Sequence, residues 1–352
     1  MRSILGNCPE KGKRPMVLYH AISSYQLLEV MLHRMAFHQR EKAVLILPDF
    51  IVGKYPQYRK LASRRFFDEV YLFPYLHIPH RDEERILQDV IRFYKEKLPY
   101  DISSFSEVYI AGAHFYFSLY LLHCRIPFAF FEDAAGMLSR WDRLFTVLSA
   151  KYPLHAAGML SRPEELHRAL SKKFPVHAAT ARKYGLYDGG HPLVRRIICL
   201  KRAQTRDVSG EKYVDFSVEK TLQALSLPVR KKVIRFFLRH RLRAQGNSIL
   251  LTQHFANLGL MSEEEQKRLY ERLRDGALRG VRLIVKPHPD DTLDYREIFP
   301  DAYVIRQIFP AELLPYVFRE KPEVLYTFDS TGCENLSSHF RIQKIEREKD
   351  GE

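Results

Sequence analysis

The chain alternates short apolar runs with longer segments whose apolar residues recur every three or four positions. In its first part, the runs that predict strands are Met16–Ala21, Ala43–Leu47, Glu69–Phe73, Glu107–Ala111 and Pro127–Phe131. Two segments between them, Tyr25–His38 and Arg81–Lys97, have helical spacing. Strands that alternate with helices predict βαβ units and a parallel sheet.

The same alternation returns in the last part of the chain. The predicted strands there are Ser248–Thr252, Arg282–Lys286, Ala302–Ile305 and Glu323–Thr327. Ser262 is followed three residues later by Glu265, which is a capping box and predicts a helix over Ser262–Arg274.

A polar, basic stretch from about Gly185 to Gly246 separates the two patterned parts. We therefore predict an α/β domain over residues 1–190, a connection with flanking helices over 191–245, and a second α/β domain over 246–352. A chain of 352 residues is long enough for two domains. Both domains are expected to be Rossmann-like and to face a central cleft, with the ligand at the carboxyl ends of the strands.

Composition excludes intrinsic disorder and points to acidic partners. Hydrophobic residues make up 46% of the chain, which is enough for packed cores. Lys and Arg number 56 against 42 Asp and Glu, a net charge of +14. This surplus predicts nucleic acid, anionic lipid or an anionic substrate as a partner.

The sequence shows no predicted signal peptide and no predicted membrane span. The longest apolar runs, such as Val44–Pro48, are far shorter than the ~20 residues that a membrane span needs. The four cysteines form no C-x-x-C pair and predict reduced thiols: Cys8, Cys124, Cys199 and Cys333. We expect a cytoplasmic protein that is either free or peripheral at the inner face of a membrane.

The sharpest chemical motif is a Lys-Pro-His-Pro turn that follows an apolar strand. Lys286 and His288 lie just past the strand end, and the two prolines limit the freedom of the backbone. A cationic or hydrogen-bonding histidine held there suits a phosphate leaving group. The alternative is a solvated turn. The similar dipeptide at His191 has no strand before it, so we assign it no role.

An acidic pair ends another apolar strand. Glu132 and Asp133 follow Phe128–Phe131 and precede Gly136. Carboxylates are costly in a core but suit a cleft, where one of them can act as a general base. The alternative is that one of them caps the next helix.

Three shorter motifs lie at other predicted strand ends or helix starts. Ser330 and Thr331 begin a turn into a helix, where hydroxyls and free amides favour an anion. Glu312 begins a short helix, where it either binds a ribose or favours the helix dipole. Thr252 and Gln253 end the first strand of the second domain.

Several common functional motifs are missing. The sequence contains no P-loop, no G-x-G-x-x-G, no H-E-x-x-H and no zinc-ligand spacing. The acidic cluster of Asp290, Asp291 and Asp294 is typical of a solvated turn, so no metal is predicted. No nucleic-acid-binding signature is present either, so no nucleic-acid partner is predicted.

The segment Arg230–Arg243 has the pattern of a basic amphipathic helix, with seven Lys or Arg around an apolar stripe. Such a helix can lie on an anionic membrane or hold a polyanionic acceptor. The alternative is a surface helix that packs on its own domain.

Taken in order, these motifs resemble the bacterial sialyltransferases of the GT-B type. The resemblance is closest to glycosyltransferase family 52, the lipooligosaccharide sialyltransferases, and to the related capsular polysialyltransferases. It rests on short motifs spread over most of the chain: Ser23–Leu28, the acidic pair with Gly136, Thr252-Gln253, Lys286–Pro289, Glu312 and Ser330-Thr331.

The resemblance implies a GT-B fold and an inverting, metal-independent transfer of sialic acid. The donor would be CMP-sialic acid, no cofactor would be needed, and the acceptor would be lipooligosaccharide or a capsule or other surface polysaccharide. Asp133 or Glu132 would deprotonate the acceptor hydroxyl, and His288 would protonate or hydrogen-bond the departing CMP phosphate. The motif here reads Glu-Asp-Ala-Ala-Gly, which leaves open which carboxylate is the base.

The resemblance also implies the remaining binding residues. Ser330 and Thr331 would bind the donor phosphate, and Glu312 would contact the ribose. The other donor-side residues would be Lys286, Pro289, Thr252 and Gln253, and the acceptor-side residues would be Ser24 and Gln26. A GT-B transferase that uses CMP-Kdo, CDP-glycerol or another nucleotide sugar remains an alternative, and a basic nucleic-acid-binding protein is the non-enzyme alternative.

Overall fold

The structure is a computed structural model, and it describes residues 14–78, 83–111, 116–132, 191–200, 212–257, 261–328, 333 and 335–345. Within these residues the strands form two sheets, and every pair of neighbouring strands is parallel. The predicted α/β organisation with parallel sheets is confirmed.

The first sheet contains seven strands in the order β3-β2-β1-β4-β5-β6-β7. They are Met16–His20 (β1), Lys42–Pro48 (β2), Glu69–Phe73 (β3), Glu107–Ala111 (β4), Phe128–Phe131 (β5), Val194–Cys199 (β6) and Tyr213–Asp215 (β7). The chain adds strands outward from β1 to β3 and then returns to β4 on the other side of β1. This reversal creates a switch point between β1 and β4, where the carboxyl ends of parallel strands leave a crevice.

The second sheet contains five strands in the order β10-β9-β8-β11-β12. They are Ser248–Leu251 (β8), Leu283–Lys286 (β9), Tyr303–Val304 (β10), Val324–Thr327 (β11) and Arg341–Lys344 (β12). The strand order reverses between β8 and β11, so this sheet has its own switch point at the carboxyl end of β8.

Helices connect the strands. The described α-helices are Ser24–Phe37 (α1), Ile51–Lys54 (α2), Lys60–Ser63 (α3), Glu83–Lys97 (α4), Tyr116–His123 (α5), Val218–Ala224 (α6), Leu227–Phe237 (α7), Glu263–Asp275 (α8), Tyr295–Ile298 (α9) and Leu314–Val317 (α10). The capping box predicted at Ser262 and Glu265 is confirmed at the start of α8. Among the described residues, no helix has the length and apolar character required to cross a bilayer.

The stretch 191–245 is not simply a connection, which corrects the sequence-based prediction for this part of the chain. Its strands β6 and β7 extend the first sheet beyond β5. Val194, Ile197 and Ile198 are buried, whereas Arg195 and Arg196 between them are exposed. The two arginines interrupt the apolar run, and for that reason the sequence pattern does not indicate a strand.

The basic amphipathic helix is also shorter than predicted. Helix α7 ends at Phe237, and Leu242 lies beyond it in an isolated bridge to Phe318. Val233 and Phe236 are buried in an apolar cluster that contains residues of both sheets. The apolar side of this segment therefore packs inside the molecule, and binding of its basic side to a membrane stays a prediction.

Candidate active site at the domain interface

The Lys-Pro-His-Pro turn leaves the carboxyl end of β9 and is fixed by hydrogen bonds. The backbone N–H of His288 donates to Oγ1 of Thr252 over 2.9 Å. The backbone N–H of Asp290 donates to Nδ1 of His288 over 3.2 Å. Since Nδ1 is an acceptor, the neutral ring carries its proton on Nε2.

A second imidazole covers the ring of His288. The rings of His254 and His288 stack with centroids 3.7 Å apart and an interplanar angle of 14°. Burial holds the pKa of His288 well below its ordinary value, and the neighbouring His254 lowers it further. His288 is therefore neutral at pH 7 in the ligand-free protein, so it is a hydrogen-bond donor rather than a cation.

Thr252 and Gln253 both have hydrogen-bond partners inside the protein beside this turn. Thr252 is buried, and its hydroxyl is engaged by the His288 backbone and lies 3.5 Å from Asp291. The backbone N–H of Gln253 donates to the hydroxyl of Tyr270 over 2.7 Å. Thr252 therefore positions the turn, because its side chain already has a structural partner.

A cavity of about 530 Å³ opens beside the turn, at the carboxyl ends of β9 and β10. Its lining includes Lys286, His288, Pro289, Arg296 and Arg306. The volume lies within the range of small-molecule sites, and the excess of cations favours an anionic ligand. The predicted donor residues Lys286, His288 and Pro289 thus share one cavity.

Lys286 and Glu312 lie deeper, where both are 5% exposed. Burial lowers the pKa of Lys286 to about 8, and nearby Glu312 opposes this shift. Burial raises the pKa of Glu312 to about 7, opposed by Asn335 beside it and by Lys286. The two groups therefore interact with each other, and contact of Glu312 with a ribose stays a prediction.

Tyr25 of α1 brings the two domains together at this point. Burial raises the pKa of Tyr25 above its ordinary value, and Glu29, Glu132 and Glu312 raise it further. Asn335 of the second domain lies beside the same hydroxyl. Carboxylates of both domains thus act electrostatically on one tyrosine hydroxyl.

Glu132 follows β5 directly and is 1% exposed. Its Oε1 accepts a hydrogen bond from the backbone N–H of Leu200, 2.8 Å away. Part of this carboxylate therefore ties the end of β5 to the end of β6. Asp133, its neighbour in the acidic pair, lies outside the described residues, as do Ser330 and Thr331.

Ser24 and Gln26, the residues predicted on the acceptor side, lie at the capped start of α1. Ser23 caps α1, and the Oε1 of Gln26 accepts hydrogen bonds from the backbone N–H groups of Ile22 and Ser23 at 3.0 and 3.2 Å. Gln26 and Ser24 are both buried. A capping box thus explains the position of Gln26, and its contact with an acceptor stays a prediction.

An ion pair crosses the cleft beside His288. The Nζ of Lys54, at the end of α2 in the first domain, lies 2.9 Å from Oδ1 of Asp290. Although burial opposes it, this pair holds the pKa of Asp290 below its ordinary value. The sequence analysis missed Lys54, because 236 residues separate it from its partner.

Three side chains at this point have ligand atoms within 4.8 Å of one another: His254, His288 and Asp290. Two imidazoles and a carboxylate are a donor set that zinc or a similar ion accepts. The ammonium of Lys54 already pairs with the Asp290 carboxylate, and its positive charge opposes binding of a metal ion at the same carboxylate. Metal independence therefore stays a prediction.

Comparison with known proteins identifies the fold and no family. No protein-family model matches the chain. A protein of Haemophilus influenzae, described as an uncharacterized protein, is 29% identical over 155 residues, which cover 43% of this chain and 49% of that protein. The match thus spans about half the length of that relative.

Solved structures match nearly the whole chain. UGT71G1 of Medicago truncatula, complexed with UDP-glucose, has a TM-score of 0.55 at 12% identity. The match covers 95% of this chain and 80% of the UGT71G1 chain. UDP-N-acetylglucosamine 2-epimerase of Rickettsia bellii has a TM-score of 0.52 at 12% identity, with 96% and 80% covered. The UDP-GlcNAc 2-epimerase of Methanocaldococcus jannaschii, in complex with UDP-GlcNAc and UDP, has a TM-score of 0.52 at 13% identity, with 91% and 80% covered.

These likenesses confirm the predicted fold class. The chain has the GT-B fold, with two Rossmann-like parallel-sheet α/β domains. Identities of 12–13% show the fold alone. The resemblance to family 52 sialyltransferases stays a prediction.

Proposed function

We propose that this protein is an inverting glycosyltransferase that moves sialic acid from CMP-sialic acid to a hydroxyl of a cell-surface glycan. The observation that carries the proposal is the fixed His288 turn at the rim of the 530 Å³ cavity. Solved GT-B proteins with UDP-sugars bound, among them UGT71G1 with UDP-glucose, support a nucleotide-activated donor.

The cavity suits the nucleotide part of the donor. Arg306 and Lys286 supply positive charge for a phosphate, and His288 presents its Nε2–H at the cavity rim. A neutral imidazole that donates a hydrogen bond stabilises a departing phosphate without a metal ion. Bound phosphate raises the pKa of such a histidine, so proton transfer to the leaving group becomes accessible once the donor is in place.

The acidic pair supplies the base. Glu132 is buried and hydrogen-bonds the Leu200 backbone, which suits a structural role. We therefore assign proton removal from the acceptor hydroxyl to Asp133. The reaction is then a direct displacement at the anomeric carbon of sialic acid, with the acceptor oxygen entering as the CMP phosphate leaves. Ser330 and Thr331 are proposed to bind that phosphate.

Nucleotide preference tests the proposal. Thermal unfolding is measured with CMP, CDP, UDP and GDP, since a ligand at ~100 times its dissociation constant adds about 2.7 kcal/mol of stability. We expect stabilisation by CMP that is weaker in His288→Ala and unchanged in His191→Ala. Transfer from CMP-sialic acid should survive EDTA. A preference for UDP or GDP would discard sialic acid, and loss of transfer in EDTA would discard metal independence.

Other GT-B donors are the second candidate, because the fold alone does not select the nucleotide. CMP-Kdo or CDP-glycerol would stabilise the protein as CMP or CDP does, and a transfer assay with each donor separates them. Stabilisation by none of the four nucleotides would remove the transferase proposal.

A further inference from the structure

Two basic segments, far apart in the sequence, lie side by side in the structure. We call them together the two-segment basic surface, which consists of Arg59, Lys60, Arg64, Arg65, Arg230, Lys231, Lys232, Arg235, Arg239, Arg241 and Arg243. Except for the half-buried Arg64 and Arg230, all are exposed. The first four follow β2 in the first domain, and the others belong to α7 and the chain after it.

Direct contacts hold the two segments together. The Nε2 of Gln57 donates to the backbone oxygen of Phe236 over 3.0 Å. The ammonium of Lys232 lies 4.8 Å from the centre of the Phe66 ring, and the rings of Phe66 and Phe236 are 6.4 Å apart. These contacts place α7 against the segment that carries Arg64 and Arg65, so the two groups of cations are neighbours.

The two sequence segments that form this surface contain no carboxylate. The sequence has no Asp or Glu between Asp49 and Asp68, and none from Ser226 to Gly246. Within the described part of the chain, none of the eleven cations forms an ion pair. Without these eleven cations the chain would hold 45 Lys and Arg against 42 Asp and Glu, so they account for most of the net charge of +14.

The positive charges repel one another. Burial lowers the pKa of Lys232, and the neighbouring Arg64 and Arg65 lower it further. Concentrating like charges costs folding energy, since self-repulsion destabilises the compact state. An anionic partner removes this cost.

We propose that the two-segment basic surface docks the protein on a bilayer that carries anionic headgroups. Broad positive surfaces bind such bilayers without inserting. Leu227 at the start of α7 is 53% exposed and lies three residues before Arg230, so it adds an apolar contact at the lipid interface.

Single-stranded nucleic acid fits this surface less well, because bases need exposed aromatic rings on which to stack. Phe66 and Phe236 are buried, and the guanidinium of Arg230 lies over the ring of Tyr316, 5.3 Å from its centre.

Docking would place the cleft close to the membrane. Lys54, which pairs with Asp290 beside His288, lies five residues before Arg59. The first segment of the surface therefore begins five residues from a side chain that contacts the candidate active site. The proposal does not depend on the sugar donor.

Vesicle co-sedimentation of the full chain tests the proposal. Vesicles of phosphatidylcholine alone are compared with vesicles that contain phosphatidylglycerol. One variant carries Arg59→Gln, Lys60→Gln and Arg65→Gln, and another carries Arg235→Gln, Arg239→Gln and Arg241→Gln. The matched control carries Lys95→Gln, Lys97→Gln and Arg279→Gln, three exposed cations elsewhere. Far-ultraviolet circular dichroism checks that every variant is folded.

We expect binding to the anionic vesicles only, and release at 1 M salt, where the Debye length is ~3 Å. Each removed cation should weaken binding roughly fivefold, so either triple variant loses roughly 100-fold and the control much less. Equal losses in the control would show dependence on net charge alone and overturn the proposal. If only one of the two triple variants lost vesicle binding, the claim that both segments form one binding surface would be overturned. Tighter binding to an oligonucleotide or a polyanionic glycan than to the vesicles would overturn the bilayer as its partner.

Discussion

His288 is held in place by its backbone and its ring rather than by an ion pair. Thr252 accepts from its N–H, Asp290 donates to its Nδ1, and His254 covers its face. These contacts fix the direction of Nε2 before any ligand binds, so no side-chain freedom remains to be lost when a phosphate arrives.

Replacement of this histidine should therefore affect chemistry more than folding. We expect His288→Ala to lower kcat by roughly 10²-fold, as for loss of an acid–base or leaving-group contact. Asp133→Asn should have an effect of similar size. Initial rates with CMP-sialic acid measure both, with His191→Ala as the control. Turnover near that of the wild type in both variants would contradict the assigned roles.

Glu312 should give the stability of the protein a distinctive pH dependence. Its pKa is raised to about 7 by burial, so the folded state binds its proton more tightly than the unfolded state. Stability from this group is present below pH ~4.5 and is lost as the pH rises through about 7, by at most ~1.4 kcal/mol per pH unit.

Urea unfolding of the wild type and Glu312→Gln between pH 5 and 7 measures this effect. The variant should gain stability relative to the wild type as the pH rises, because glutamine cannot ionise. Parallel curves across this range would show that Glu312 ionises as freely when folded as when unfolded.

At the scale of the elements, strand ends and helix caps explain most of the local sequence. The strands Glu69–Phe73 and Glu107–Ala111 have the bounds that their apolar runs predict. The Ser262 box caps α8, and the Ser23 box caps α1 with Gln26, a residue for which an acceptor contact was predicted. A cap and a ligand contact use the same residue types, so only the hydrogen-bond partner distinguishes them.

The α8 cap supplies a prediction at this scale. Ser262→Ala should lower the free energy of unfolding by about 1 kcal/mol, because the backbone N–H of Glu265 loses its acceptor. Chemical denaturation measures the loss, and Ser262→Asp should retain most of the stability. The cap lies at a helix start that faces solvent, so an unchanged midpoint in Ser262→Ala would mean that water replaces the hydroxyl at no cost.

At the scale of the whole molecule, apolar packing outweighs the ion pair across the cleft. One buried cluster includes Leu45 of β2, Phe236 of α7 and Leu325 of β11. The Lys54–Asp290 pair is partly exposed, with side-chain exposures of 24% and 48%. Pairs of that kind contribute ~0.2–1 kcal/mol, far less than several buried aromatic side chains.

A double-mutant cycle on the Lys54–Asp290 pair tests whether it contributes less stability than the apolar cluster. Lys54→Met and Asp290→Asn, alone and combined, should give a coupling energy below about 1 kcal/mol. Small-angle scattering should find the same radius of gyration in all four proteins. A larger coupling energy, or expansion of the single variants, would mean that the pair and not the apolar cluster closes the cleft.

The sequence by itself determined the α/β alternation, most strand positions and the Lys-Pro-His-Pro turn. Each of these depends on local features, namely the spacing of apolar residues and the restricted backbone of proline, which can be recognised within a few residues. It did not indicate β6, whose apolar run is broken by Arg195 and Arg196. Only the tertiary structure decided which distant groups meet: Lys54 with Asp290, Tyr25 with Asn335, and the two halves of the basic surface. Those pairings depend on how the two sheets pack, which no local sequence pattern specifies.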